Sequence, residues 1–81
     1  MGINYNIIKP IATLSRSIDK DGITWTSELN IISWNNGTPV FDLRSWDESH
    51  NKCSVGVKLS ADEMKQLITG FREYAEKVEL I

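Results

Sequence analysis

The stretch Glu28-Leu29-Asn30-Ile31-Ile32-Ser33-Trp34-Asn35-Asn36-Gly37-Thr38-Pro39-Val40-Phe41-Asp42-Leu43-Arg44-Ser45-Trp46 decides the fold. Its polar centre, 35–39, with Asn-Gly inside it, marks a tight β-hairpin between two apolar-rich runs. After the turn, Phe41 and Leu43 alternate with Asp42, Arg44 and Trp46, which predicts a strand over 40–46 with two unlike faces. Before the turn, Ile23, Trp25, Leu29 and Ile31 share one parity, and Ile32 and Trp34 break it. That break predicts a bulge or a change of exposed face near Asn30 within a strand over 23–34. Trp25 lies on the apolar parity and reads as a core or interface residue.

Working outward, residues 5–15 are apolar and largely β-branched, and Pro10 places that strand at an edge or a bulge. Residues 16–22 form a polar link ending in the turn pair Asp21-Gly22. On the other side, 47–54 reads as a polar loop, and Val55, Val57 and Leu59 as a short strand whose second face carries Lys58. The last third reads as a helix over about 61–79, opened by Ser60 and Glu63 as a capping box. Met64, Leu67, Phe71, Tyr74, Val78 and Ile81 recur at spacings of three and four, a heptad seam. The expectation is an α+β fold: a four-stranded antiparallel β-meander followed by one C-terminal helix (β-β-β-β-α), with residues 1–81 as a single domain.

A chain of 81 residues buries only about 60% of the surface its unfolded form exposes. Two such helices could complete each other's core, so a homodimer through Met64, Leu67, Phe71, Tyr74 and Val78 is expected. The composition, 25% charged and 41% hydrophobic, argues against disorder. No apolar run approaches the roughly 20 residues of a membrane span, and Met-Gly-Ile-Asn-Tyr-Asn does not open like a signal peptide. The single cysteine, Cys53, cannot form an internal disulfide. These features together predict a cytoplasmic protein with no membrane partner. The net charge of -2 argues against a domain that coats duplex DNA by charge. Residues 1–59 hold six basic and six acidic side chains, whereas 60–81 hold three and five, so the tail carries the whole excess. An anion-binding surface therefore belongs to the first part.

Period-two geometry puts Arg44 and Trp46 on one strand face, and Lys58 joins them if its strand pairs alongside. Trp34 is a second large aromatic off the core parity. Cations for phosphates and rings for bases are what single-stranded nucleic acid needs, stacking being worth about 1–3 kcal/mol per base. The same pattern also fits half-buried packing tryptophans, with Arg44 paired to Asp42 or Asp47, and tryptophans are mostly packing residues. His50 and Cys53 lack the two further ligands of a zinc site, and read as an exposed loop histidine and an inert thiol. No spacing among Asp19, Asp21, Glu28, Asp42, Asp47 and Glu48 selects a catalytic pair. Asn36-Gly37-Thr38 fits a glycosylation pattern but reads as a turn. No metal, cofactor or catalytic residue is expected, so the reading is non-enzymatic.

Taken together, 28–35, then Pro39-Val40-Phe41-Asp42-Leu43-Arg44-Ser45-Trp46, then Gly56-Val57-Lys58-Leu59-Ser60, resemble the C-terminal domain of the transcriptional positive cofactor four family, in its short bacterial form. The resemblance spans roughly residues 5–72. It implies a helix-mediated homodimer that binds single-stranded DNA across the sheet with little sequence preference. It implies that Arg44 and Trp46 contact the strand, that Trp34 stacks a base, that Asn35 and Asn36 stand where the family has a basic turn, and that Lys52 matches a loop lysine. With no lysines in the turn, Val55 at a usually basic position and an acidic balance, stacking-dominated binding with a shallow salt slope follows. The expected role is in transcription or DNA maintenance, with transcription machinery as a further partner. Two other readings use the same chain: an interaction module recruiting a polymerase or regulator, and an RNA-binding protein or chaperone.

Overall fold

In a computed structural model that describes residues 4–77, the chain runs β1 (Tyr5–Ile18), β2 (Thr24–Trp34), β3 (Val40–Asp47), β4 (Val57–Leu59) and α1 (Ala61–Lys77). The strands form one open antiparallel sheet in the order β1-β2-β3-β4. The α+β meander with a C-terminal helix is therefore the architecture. Val78 and Ile81, two positions of the helix seam, lie outside the described residues.

Local chemistry accounts for the turns. Between β2 and β3, the Gly37 N–H donates to the Trp34 carbonyl at 2.8 Å. Asn35 and Asn36 hold φ of 51° and 61°, a left-handed region that asparagine tolerates. The turn centre is thus Asn35-Asn36 rather than the expected Asn-Gly, with Gly37 closing it. Between β1 and β2, Gly22 supplies φ 80° and its N–H donates to the Asp19 carbonyl at 3.0 Å. The Asp19 carboxylate accepts from the Asp21 and Ile23 N–H groups at 2.9 and 3.0 Å and from Trp25 Nε1 at 2.8 Å. Trp25 is thereby tied to a turn; it is not a core residue.

The irregularity expected within β2 near Asn30 is absent, and β1 carries bulges instead. β2 pairs with β3 without a break from Trp25↔Asp47 to Ile32↔Val40. Against β2, β1 shifts register at three places and holds an extra residue at Ile8, Ile11 and Leu14. Such bulges bend and twist a strand, and with Pro10 they blunt a 14-residue edge. β1 also runs on to Ile18, so only Asp19–Gly22 of the expected polar link is a turn. β4 is shorter than expected: Val57–Leu59 pairs with β3, and Val55 is 98% exposed.

Burial reverses the expected faces. The apolar parity of Leu29, Ile31, Phe41 and Leu43 is only half-buried in the chain, whereas Ile32, Trp46, Asn30 and Asp42 are fully buried and Glu28 nearly so. The helix explains the first half. Its capping box forms as expected, with Glu63 N–H on Ser60 Oγ at 3.1 Å and Ser60 N–H on Glu63 Oε1 at 2.8 Å. Yet α1 touches only β3 and β4, and none of its residues is buried. A groove of about 720 Å³, lined by Leu14, Leu29, Met64, Leu67, Ile68 and Phe71, separates it from β1 and β2.

Candidate nucleic-acid interface

Residues opposite one another in an antiparallel ladder share a face. Thr26↔Trp46, Glu28↔Arg44, Asn30↔Asp42 and Asp42↔Lys58 place the expected site residues Arg44, Trp46 and Lys58 on the face away from α1. Tyr5↔Trp34, Thr13↔Glu28 and Arg16↔Thr26 add Trp34 and three β1 residues to it.

Four rings gather at one end. Tyr5 lies 5.6 Å from Trp34 and 5.2 Å from Trp46, and the two indoles stack at 6.2 Å with 14° between planes. Tyr5 reaches Trp46 across the width of β2, so this face is a trough with Trp46 on its floor. The loop 47–54 closes the trough. Asp47 organises that loop, accepting from the Asn51 and Lys52 N–H groups and from Ser49 Oγ. This brings His50, at φ 58°, to 5.6 Å from the Trp46 ring. The Tyr5 hydroxyl donates to the His50 carbonyl. Trp46 is 0% exposed and offers no surface for stacking, which corrects its expected role: packing has claimed the ring. Trp34 is half-buried, and neither indole N–H has a partner among the described residues.

Arg44 is corrected likewise. Its Nε and Nη2 donate to the two Asp42 carboxylate oxygens at 2.6 and 2.7 Å, and Nη1 to the Ser54 carbonyl at 3.3 Å. Burial alone would lower the guanidinium's pKa, but the Asp42 bonds outweigh it and hold the pKa above the ordinary arginine value. A Cβ on Gly56 would stand 2.5 Å from Arg44 Cβ and 2.6 Å from the Leu43 carbonyl, so glycine lets the chain pass close beside this pair. Arg44 is a scaffold for Trp34, lying 4.5 Å from its ring centre, and Lys58 Nζ lies 4.9 Å from the same ring.

Asn35 and Asn36 are exposed at the turn, where Asn35 Oδ1 accepts the Asn4 N–H. Lys58 is exposed on β4, and Lys52 is exposed in the loop with its backbone held by Asp47. The seam residues Leu67, Phe71 and Tyr74 are each more than half exposed, and Met64 is half-buried.

Glu28, Asn30 and His50 were not expected here. Glu28 accepts from Thr26 Oγ1, from Asn30 Nδ2 at 3.1 Å, and from His50 Nε2 at 3.0 Å to both oxygens. His50 is thus a fastened loop residue, not a free one. No local pattern signals this, because His50 and Glu28 are 22 residues apart. Tyr5 and Arg16 were legible only as parts of a strand and a link; their places follow from the bulged register.

Burial pushes the Glu28 carboxyl up, but its bonds from Thr26, Asn30 and His50 prevail and hold it below the ordinary value of 4.5. The Trp25 and Ile23 N–H bonds lower Asp19, and the Lys52 N–H lowers Asp47 despite partial desolvation, both from 3.8. All three folded values are depressed, so the unfolded chain binds protons more readily. Their stabilisation is present above about pH 5 and disappears as acid titrates them. A melting series from about pH 7 to about pH 3 is expected to show Tm falling below about pH 5, less steeply in Glu28→Gln. A flat Tm would contradict this.

The fold and this face define a class: a small α+β domain with an open sheet, aromatic rings and cations on one side and an amphipathic helix on the other. No protein-family profile matches the chain. A protein of Treponema pallidum (strain Nichols), described as uncharacterized, is 34% identical over 64 residues, covering 79% of this chain and 71% of the relative. The chain belongs to the family of that protein. Among the described residues, no helix is long and apolar enough to cross a membrane.

Proposed function

We propose that the chain is a non-enzymatic, single-stranded-DNA-binding protein of the positive-cofactor-four kind, acting as a homodimer. The supporting observation is Trp34, with Arg44 and Lys58 at 4.5 and 4.9 Å from its ring, on a sheet face that the helix leaves free. A base stacks on Trp34. Phosphates meet Lys58, Lys52 and Arg16, all exposed, the last being opposite Thr26 on the same face. Arg44 and Trp46 hold Trp34 in place from beneath. Asn35 and Asn36 border the ring at the turn. The half-exposed seam of α1 supports dimerisation, since Leu67, Phe71 and Tyr74 are 55%, 55% and 56% exposed in the single chain. Two trough faces on one dimer raise the effective concentration on a single strand.

The test is a titration with an oligo-dT of about 20 nucleotides, alongside light scattering. Saturable binding and twice the 9.2 kDa chain mass are expected. Trp34→Ala should weaken binding about ten-fold, one stacked base, and Lys58→Ala should lower the salt slope by about 0.7. Absence of binding at low salt refutes the reading. An RNA strand of the same sequence, added as competitor, separates DNA from RNA preference.

A further inference from the structure

The same face holds a second feature that the stacking reading does not use. A cleft of about 310 Å³ lies between β1 and the loop, lined by Ile7, Pro10, Thr13, Glu28, Asn30 and His50. That volume is at the small end of small-ligand sites, room for one ring system and not for a chain. Ile7, Pro10 and Thr13 stand opposite Ile32, Asn30 and Glu28 in the ladder, so β1 forms one wall. Two polar floor groups are themselves buried, Glu28 at 8% exposure and Asn30 at 1%.

The way His50 sits on Glu28 indicates what the cleft would hold. A single Nε2 spans both carboxylate oxygens at 3.0 Å. A carboxylate offers about four lone-pair positions, and as an anion it only accepts. One shared N–H is a poorer match to that pair of oxygens than two parallel N–H donors. The imidazole comes from a surface loop and its side chain is 38% exposed, so a better donor pair can displace it. Guanine carries that pair on one edge, at N1 and the 2-amino group. Cytosine offers its amino group alone, and thymine flanks one N–H with two carbonyls that the carboxylate repels. The carboxylate also rejects phosphate, so the backbone stays over Arg16 and Lys58 while a base points inward. An arginine from a protein partner has the same donor pair, but the exposed Arg16 and Lys58 share this face and disfavour it.

We propose that the Glu28–Asn30–His50 cleft seats one base of the bound strand and selects guanine, its N1–H and 2-amino group replacing His50 on the Glu28 carboxylate. The inference rests on the single-strand reading above. The experiment measures anisotropy of labelled oligo-dT of about 20 nucleotides, against the same strand with one central dG, dC, dA or deoxyinosine. The dG strand is expected to bind at least about five-fold more tightly than oligo-dT, with dC and dA, each offering one amino group, between. Deoxyinosine, which lacks the 2-amino donor, should lose most of the gain. Thr13→Phe fills the cleft from an exposed strand position and should abolish the preference while leaving oligo-dT affinity in place. Glu28→Gln, checked by melting, should do the same. Equal affinity for all strands, or a preference that survives Thr13→Phe, overturns this inference alone. Competition by an arginine-rich peptide as strong as that by the dG strand also overturns it. No binding of any strand overturns the parent reading and the inference with it.

Discussion

Trp46→Ala is expected to destabilise the protein by about 3–5 kcal/mol, the range for deleting a buried large aromatic. The ring is 0% exposed and packs between Tyr5, Trp34 and His50 at 5.2, 6.2 and 5.6 Å. A chain of 81 residues has total stability of about 5–10 kcal/mol, so a large fraction would unfold on mild heating. Trp46→Phe should cost less, about 1–2 kcal/mol, because the lost indole N–H has no partner to leave behind. Urea denaturation of both variants checks the order. The consequence for binding is direct. Loss of DNA binding in Trp46→Ala would report an unfolded trough, whereas the same loss in Trp34→Ala would report the contact itself. A Trp46→Ala protein as stable as the parent would mean that the ring is not the floor of this face.

Asp42→Ala is the second large effect, about 3 kcal/mol, for a different reason. Asp42 is 0% exposed and Arg44 has a side chain only 10% exposed, joined by two bonds at 2.6 and 2.7 Å. Removing the carboxylate leaves a buried cation with the Ser54 carbonyl as its remaining oxygen acceptor, and breaking a buried pair costs several kcal/mol. Replacing both partners removes the stranded charge as well as the attraction, so Asp42→Leu with Arg44→Met should recover much of the loss. Denaturant midpoints of the single and double variants test this as a cycle. Strict additivity of the single variants would show that the pair is not coupled. Because Arg44 lies 4.5 Å from the Trp34 ring, Asp42→Ala should also weaken oligo-dT binding without removing any group that faces the strand.

The elements were legible because they depend on near neighbours. The asparagines and Gly37 supply the turn, alternation marks β3, Ser60 and Glu63 mark the helix start, and three-four spacing marks its seam. The faces were less legible. Phe41 and Leu43 against Asp42 and Arg44 suggest an apolar core side and a polar open side, and that inference assumes a helix covering the whole apolar side. Here α1 covers only the β3–β4 half. The polar side meanwhile hides its charges by satisfying them, Asp42 with Arg44 and Glu28 with bonds from Thr26, Asn30 and His50, which removes most of the penalty that usually keeps such groups at the surface.

By itself, the order of residues determined the four strands, the hairpin turn, the capped helix and the set of aromatic and cationic side chains sharing one face. Those outcomes follow from dihedral preferences and the two-residue period of a strand, which act over a few residues. Only tertiary structure decided which of those side chains remain accessible. Three bulges in β1 bring Tyr5 and Thr13 against the face, and a loop 22 residues from Glu28 lays His50 over Trp46. Exposure is a property of what lies above a side chain, and that neighbour comes from far along the chain.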